Sequence, residues 1–223
     1  MIARPLGQCA AWWSARWNCQ FASVTDPVAV GLARAGSALA KIDDGELRYC
    51  STQQRFANWA VELAVREADL DTFFDTVIVC TVTGSSHAGM IVGFALEDRN
   101  DRRVIGIDAS ATLDKTIDQV TRIATNTAEL IELGRPLRDD EITVIAGYEG
   151  PVYGDPDQQT VDAIQLAART EGMLTDPVYE GKSMAGLIGM TRSGEIPAGS
   201  KVMYCHLGGQ PCLSAYAGAP GLG

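Results

Sequence analysis

The chain is predicted to be an α/β protein built on a mostly parallel, twisted sheet with helices on both faces. Three observations predict this. Thr76-Val77-Ile78-Val79-Cys80 is an apolar, β-rich run without polar alternation, as expected of a strand covered on both sides. Strand-like and helix-like patterns then alternate along the chain, which favours parallel pairing with crossover helices. No internal repeat or low-complexity linker interrupts that alternation.

Taken in order, residues 1–54 keep no sustained period and mix Trp12, Trp13 and Trp17 with Cys, Arg and Gly, so they stay unassigned. Residues 55–223 read as one large α/β domain. Phe56, Trp59, Ala60, Leu63 and Ala64 fall at the spacing of a helix face. After the Thr76–Cys80 strand come a polar turn, Thr83-Gly84-Ser85-Ser86, and a helix from about Ala88 to Leu96. A strand from Arg103 to Asp108 precedes a helix whose Ile117, Val120, Ala124, Thr127 and Ile131 share a face. A less regular link through Tyr153 leads to a helix around Val161 to Arg169. A helix after Gly181 and a strand from Val202 to Leu207, ending in Gly208-Gly209, complete the pattern.

Composition narrows the function classes. A net charge of −10 with only 18 Lys plus Arg offers no basic stripe for a phosphate backbone, which argues against nucleic-acid binding. No run of about 18 apolar residues and no signal-peptide order is present, so no membrane partner and a cytoplasmic location are expected. Six cysteines without a C-x-x-C pair and two histidines read as reduced thiols, with no metal site.

The strongest local motif is Cys80-Thr81-Val82-Thr83-Gly84-Ser85-Ser86-His87-Ala88-Gly89-Met90, a strand running through a Gly/Ser/Thr turn into a helix. Turn N–H groups, short hydroxyls and a helix start together bind an anion without a cation, and Gly84 allows close backbone approach. The spacing matches neither a Walker loop nor a dinucleotide loop, so a small phosphate-bearing cofactor fits better. A purely structural helix cap would also account for the serines and threonines.

Four segments, in order, resemble one family. They are Val82-Thr83-Gly84-Ser85, Val104-Ile105-Gly106-Ile107-Asp108-Ala109-Ser110, the run from Arg169 to Met184, and His206-Leu207-Gly208-Gly209. Over roughly Phe56 to Tyr216 the chain resembles the aminocyclopropane-carboxylate deaminases and D-cysteine desulfhydrases, enzymes of the tryptophan-synthase-β-like class that use pyridoxal 5'-phosphate. The resemblance implies that fold, incomplete at the amino terminus, with the cofactor between two α/β domains. It implies that Val82, Thr83, Gly84, Ser85 and Ser86 bind the phosphate, and that Glu180 faces the pyridine nitrogen, where a carboxylate favours the protonated ring. Leu207 joins the cofactor-binding set. Tyr179 matches a tyrosine beside the substrate, as nucleophile or proton-transfer group if neighbours lower its pKa, or as pocket wall. Tyr153 matches a second pocket tyrosine, read chiefly as packing. His87, where glutamine is common, reads as a cap or surface residue.

In the family, Glu and Leu at the positions of Glu180 and Leu207 accompany the deaminase. The implied reaction opens the ring of 1-aminocyclopropane-1-carboxylate, a small amino-acid substrate, to 2-oxobutanoate and ammonia, in a homo-oligomer. The family's cofactor-binding lysine segment finds no match among Lys41, Lys115, Lys182 and Lys201. That predicts a truncated or misjoined coding sequence, poor stability and little turnover. The other readings are a non-catalytic remnant that binds a phosphorylated ligand or an intact subunit, and a D-cysteine desulfhydrase.

Overall fold

Runs of β-branched residues bounded by polar turns form the sheet in the computed structural model, which describes residues 60, 63, 66–96, 101–110, 112–219 and 221–222. The sequence readings for residues 1–54, and for Phe56, Trp59 and Ala64, lie outside these residues; Ala60 and Leu63 are helical and buried. The strands are β1 (Thr76–Thr81), β2 (Arg103–Asp108), β3 (Thr143–Ile145) and β4 (Val202–Cys205). The helices are α1 (Ser85–Ala95), α2 (Leu113–Leu130), α3 (Gln158–Glu171) and α4 (Glu180–Ser193).

The strands pair in the order β3-β2-β1-β4, every pair parallel, with Ile78 opposite both Ile105 and Tyr204. Side chains alternate across the sheet, so each face feeds a separate core. Val77 and Val79 pack with Met90, Ile91 and Phe94 of α1 and Val120 of α2. On the other face Ile78, Ile105 and Ile107 pack with Met190 of α4, and α3 packs onto α4 through Ala163, Ala167, Met184 and Ala185. Val77, Ile78 and Val79 are completely buried, each contributing about 2 kcal/mol of transfer free energy. The parallel α/β architecture with helices on both faces is the one predicted.

Boundaries differ in three places. Helix α1 starts at Ser85 rather than near Ala88, because Gly84 takes up a left-handed N-cap conformation (φ 78°) that turns the chain into the helix at once. Strand β4 ends at Cys205, two residues before Leu207. Strand β3, read as part of an irregular link, joins the sheet beside β2; only three residues long, with Val144 alone buried, it carries no periodic signal.

A buried ion pair anchors the segment before β1. Arg102 donates to Glu67 Oε1 at 2.9 Å and Oε2 at 2.6 Å, and to the Phe74 carbonyl at 2.7 Å. Its guanidinium also stacks on Phe73 and Phe94 at 4.5 and 4.4 Å. Planar fork geometry is what allows one side chain to satisfy a carboxylate and two rings together.

Candidate active site

Parallel strands end on the same side of a sheet, and a cleft opens beyond the carboxyl ends of β1 and β4. Its volume is about 240 Å³, and Val82, Thr83, Gly84, Ser86, Tyr179, Glu180 and Leu207 all line it, together with Cys80, Gly208 and Gly209. Sequence positions more than a hundred residues apart are thus brought to one site. Ser85 sits in the same turn without lining the cleft, and Tyr153 reaches it indirectly, its hydroxyl 2.5 Å from that of Tyr179.

One lip is the β1–α1 turn. The Gly84 carbonyl accepts from Ala88 N–H at 2.8 Å, beginning α1, and the Thr83 carbonyl accepts from Gln119 Nε2 at 2.6 Å. The first-turn N–H groups of a helix start without intrahelical acceptors and favour an anion at that end.

The opposite lip is the start of α4. Asp176, fully buried, accepts from the backbone N–H groups of Val178 (2.8 Å), Tyr179 (3.0 Å) and Glu180 (2.9 Å). Gly209, with φ 90°, lies against the Asp176 carboxylate where any Cβ would collide. Glu180 Oε1 accepts from Leu207 N–H at 3.2 Å and Oε2 from the Tyr204 hydroxyl at 3.1 Å. Burial nevertheless pushes the Glu180 carboxyl up to about 7, against the opposing pull of those donors and of His206. The hydrogen bond with Tyr153, in which a neutral Tyr179 donates its proton, raises the Tyr179 hydroxyl to about 12, with burial adding to the shift. The lowered pKa that a tyrosinate nucleophile needs is therefore not supplied by these neighbours.

His87 is neither a cap nor a surface residue. Because α1 begins early, its ring is turned inward and lies against β2 at Gly106, where a Cβ would meet both the ring and the Thr81 hydroxyl. Burial pushes it down to about 4, the Val104 backbone offsetting part of the shift, although neither ring nitrogen lies in hydrogen-bonding geometry with a protein partner among the described residues. It is a neutral wall of the turn at physiological pH.

A family model described as pyridoxal-phosphate dependent enzyme matches residues 25–208. The chain belongs to the pyridoxal-phosphate dependent enzymes. This family member is 60% identical over 162 residues to the 1-aminocyclopropane-1-carboxylate deaminase of Rhizobium radiobacter, covering 73% of this chain and 48% of that one. With the Burkholderia vietnamiensis deaminase (strain G4 / LMG 22486) the identity is 59% over the same shares. The chain thus spans about half the length of the curated relatives it matches. A crystal structure of an ACC deaminase homologue superposes with a TM-score of 0.63 at 24% identity, covering 74% of this chain and 49% of that one, a likeness of fold.

The residues present suit the family's cofactor. An uncharged turn rich in N–H groups and hydroxyls, opened by the left-handed Gly84, matches a phosphate, and the Glu180 carboxyl on the facing lip matches a ring nitrogen. Among the described residues no lysine lines the cleft. Lys115 is exposed, Lys201 donates to Thr72 Oγ1, and Lys182 is fully buried, donating to the carbonyls of Ala109 and Glu149; Lys41 lies outside the described residues.

Sequence reasoning gave no role to Asp176, Tyr204 or Cys80. Asp176 had a local signal, an Asp-Pro pair just ahead of a helix, which is a common cap arrangement. Cys80 opens the turn motif and lines the cleft beside Val82, whereas Tyr204 had no local signal, since it joins the site through Glu180, 24 residues away.

Proposed function

We propose that this chain carries the phosphate-binding and ring-binding walls of an aminocyclopropane-carboxylate deaminase, a cytoplasmic, homo-oligomeric hydrolase that degrades a small amino acid. The observation that carries the reading is the convergence of the Val82–Ser86 turn, Glu180 and Leu207 on one cleft. The identity to deaminases supports the same reading.

In it, the Thr83 and Ser86 hydroxyls and the first N–H groups of α1, that of Ser85 included, hold the cofactor phosphate, with Val82 and Gly84 shaping the turn. The bound cofactor supplies an electron sink for charge developing on the substrate carbon. Glu180 holds the proton of the ring nitrogen, and the Tyr204 hydroxyl and Leu207 N–H keep its carboxyl in place. Glu180 would pair with the positive charge of a protonated ring nitrogen, which favours its carboxylate form and offsets the burial penalty. Tyr179 remains a neutral hydroxyl at working pH and hands a proton to or from the substrate, with Tyr153 as its relay partner at 2.5 Å.

A specific observation favours the second reading, a non-catalytic binder of a phosphorylated ligand: no described lysine reaches the cleft. One experiment separates them. The purified chain is mixed with pyridoxal phosphate, reduced with borohydride and peptide-mapped, and ammonia release is followed with 1-aminocyclopropane-1-carboxylate and with D-cysteine. A single labelled lysine with release from the cyclic substrate supports the deaminase. Saturable binding without a labelled lysine or turnover supports the binder, and preferential turnover of D-cysteine refutes both.

A further inference from the structure

Among the described residues Lys182 is the largest side chain buried without residual exposure, yet it has no place in the chemistry above. Its ammonium, in the first turn of α4, donates to the Ala109 carbonyl at the end of β2 (3.3 Å) and to the Glu149 carbonyl (2.5 Å). Removing an ammonium from water costs several kcal/mol, which an apolar residue of similar volume would avoid. Retaining the charge here yields a connection that such a residue cannot make.

Glu149 opens the loop that presents Tyr153. The other end of the same loop is also tied, because the Tyr216 hydroxyl donates to the Gly154 carbonyl at 2.5 Å. Between the ties the backbone turns tightly: Gly150 is left-handed (φ 71°), a Cβ there would approach the Asp155 carbonyl at 2.9 Å, and Asp155 N–H donates to the Val152 carbonyl at 3.0 Å. Val152 and Tyr153 themselves are 62% and 52% exposed, so little packing of their own holds them. Tyr153 nevertheless reaches Tyr179, whose backbone immediately precedes the helix that carries Lys182.

We propose that Lys182 and Tyr216 are positioning residues that tether the two ends of the 149–154 loop and thereby set the reach of the Tyr153 hydroxyl to that of Tyr179. The relevance of that reach to turnover rests on the reading of Tyr179 as a substrate-facing hydroxyl. The tethering itself is independent of cofactor and activity. Neither tethering hydrogen bond reaches the phosphate turn.

The test uses the full chain with carbon-13-labelled tyrosine rings, the Tyr179 resonance being assigned with Y179F. In the parent, with Tyr179 raised to about 12, the resonance stays at its neutral position up to pH 11; a phenol of ordinary pKa near 10 is about nine-tenths ionised there. Tyr153→Phe removes the partner and marks full release. Lys182→Met and Tyr216→Phe, checked for folding by circular dichroism, are expected to move the Tyr179 titration most of the way to that marker. Folded variants whose Tyr179 titrates like the parent overturn the proposal, as does a Tyr153→Phe variant without effect. If Lys182→Met does not fold, Tyr216→Phe decides by the same criterion. Failure of the parent to bind pyridoxal phosphate in a separate titration would count against the proposed function and leave this result standing.

Discussion

The two lips of the cleft are built from different materials. The β1–α1 turn is backbone and hydroxyl, its one titratable member, His87, kept neutral by burial. The α4 lip is built from ionisable side chains, Asp176, Tyr179 and Glu180, held by the local bonds of Asp176 to three backbone N–H groups and by bonds to Glu180 from Tyr204 and Leu207, which lie in and just beyond β4. A phosphate brings its own charge and needs only oriented donors, whereas a ring nitrogen and a substrate proton need groups whose protonation can change. The first lip is therefore local in sequence and insensitive to pH; the second is assembled from distant segments and is sensitive to it.

The largest effect expected from breaking this contrast is at Asp176. Asp176→Ala leaves three backbone N–H groups, two of them buried, without their acceptor, and unfolding by urea should show a loss on the order of 3–5 kcal/mol. Asp176→Asn, which keeps an acceptor oxygen, should recover part of it.

Glu180 comes next, and its effect depends on pH. Its folded pKa of about 7 lies above the ordinary value of 4.5, so the folded state keeps this proton when the unfolded chain has lost it. The associated stability is complete below about pH 4.5, falls as pH rises through 7, and amounts to on the order of 3 kcal/mol. Denaturation of the cofactor-free chain at pH 4.5 and 8 should show that fall, and Glu180→Gln should flatten it.

On the other lip Gly84→Ala places a Cβ 2.9 Å from Val120 Cγ2 at a left-handed residue. The cost is about 1–3 kcal/mol in stability, with weakened pyridoxal phosphate binding at every pH. Smallest is Ser86→Ala, which removes one hydroxyl from the cleft and should weaken binding by about 1 kcal/mol, or roughly fivefold in Kd. Absorbance titration measures both, and a pH dependence in either variant beyond that of the parent would erase the contrast between the lips.

The contrast also explains what could be read from the chain. The β1 run and the Gly84 turn are contiguous, and β2 and α2 have clear periods, so all were readable directly. Tyr179, Glu180 and Leu207 were found only through resemblance, since an isolated Glu after a turn carries no physical signal. His87 was misplaced because the left-handed Gly84 starts α1 about one turn early and rotates the ring inward over Gly106. The role of Lys182 depends on carbonyls 33 and 73 residues away in the chain. No local pattern encodes such a partnership.

The central claim is that the cleft recognises pyridoxal phosphate through its phosphate at the β1–α1 turn and its ring at Glu180. It is tested most directly by equilibrium titration of the parent and Ser86→Ala chains with pyridoxal phosphate and with pyridoxal, which lacks the phosphate. The account predicts that pyridoxal phosphate binds the parent much more tightly than pyridoxal does, and that Ser86→Ala weakens only the phosphorylated ligand. Equal affinity for the two ligands, or no saturable binding of either, would contradict it.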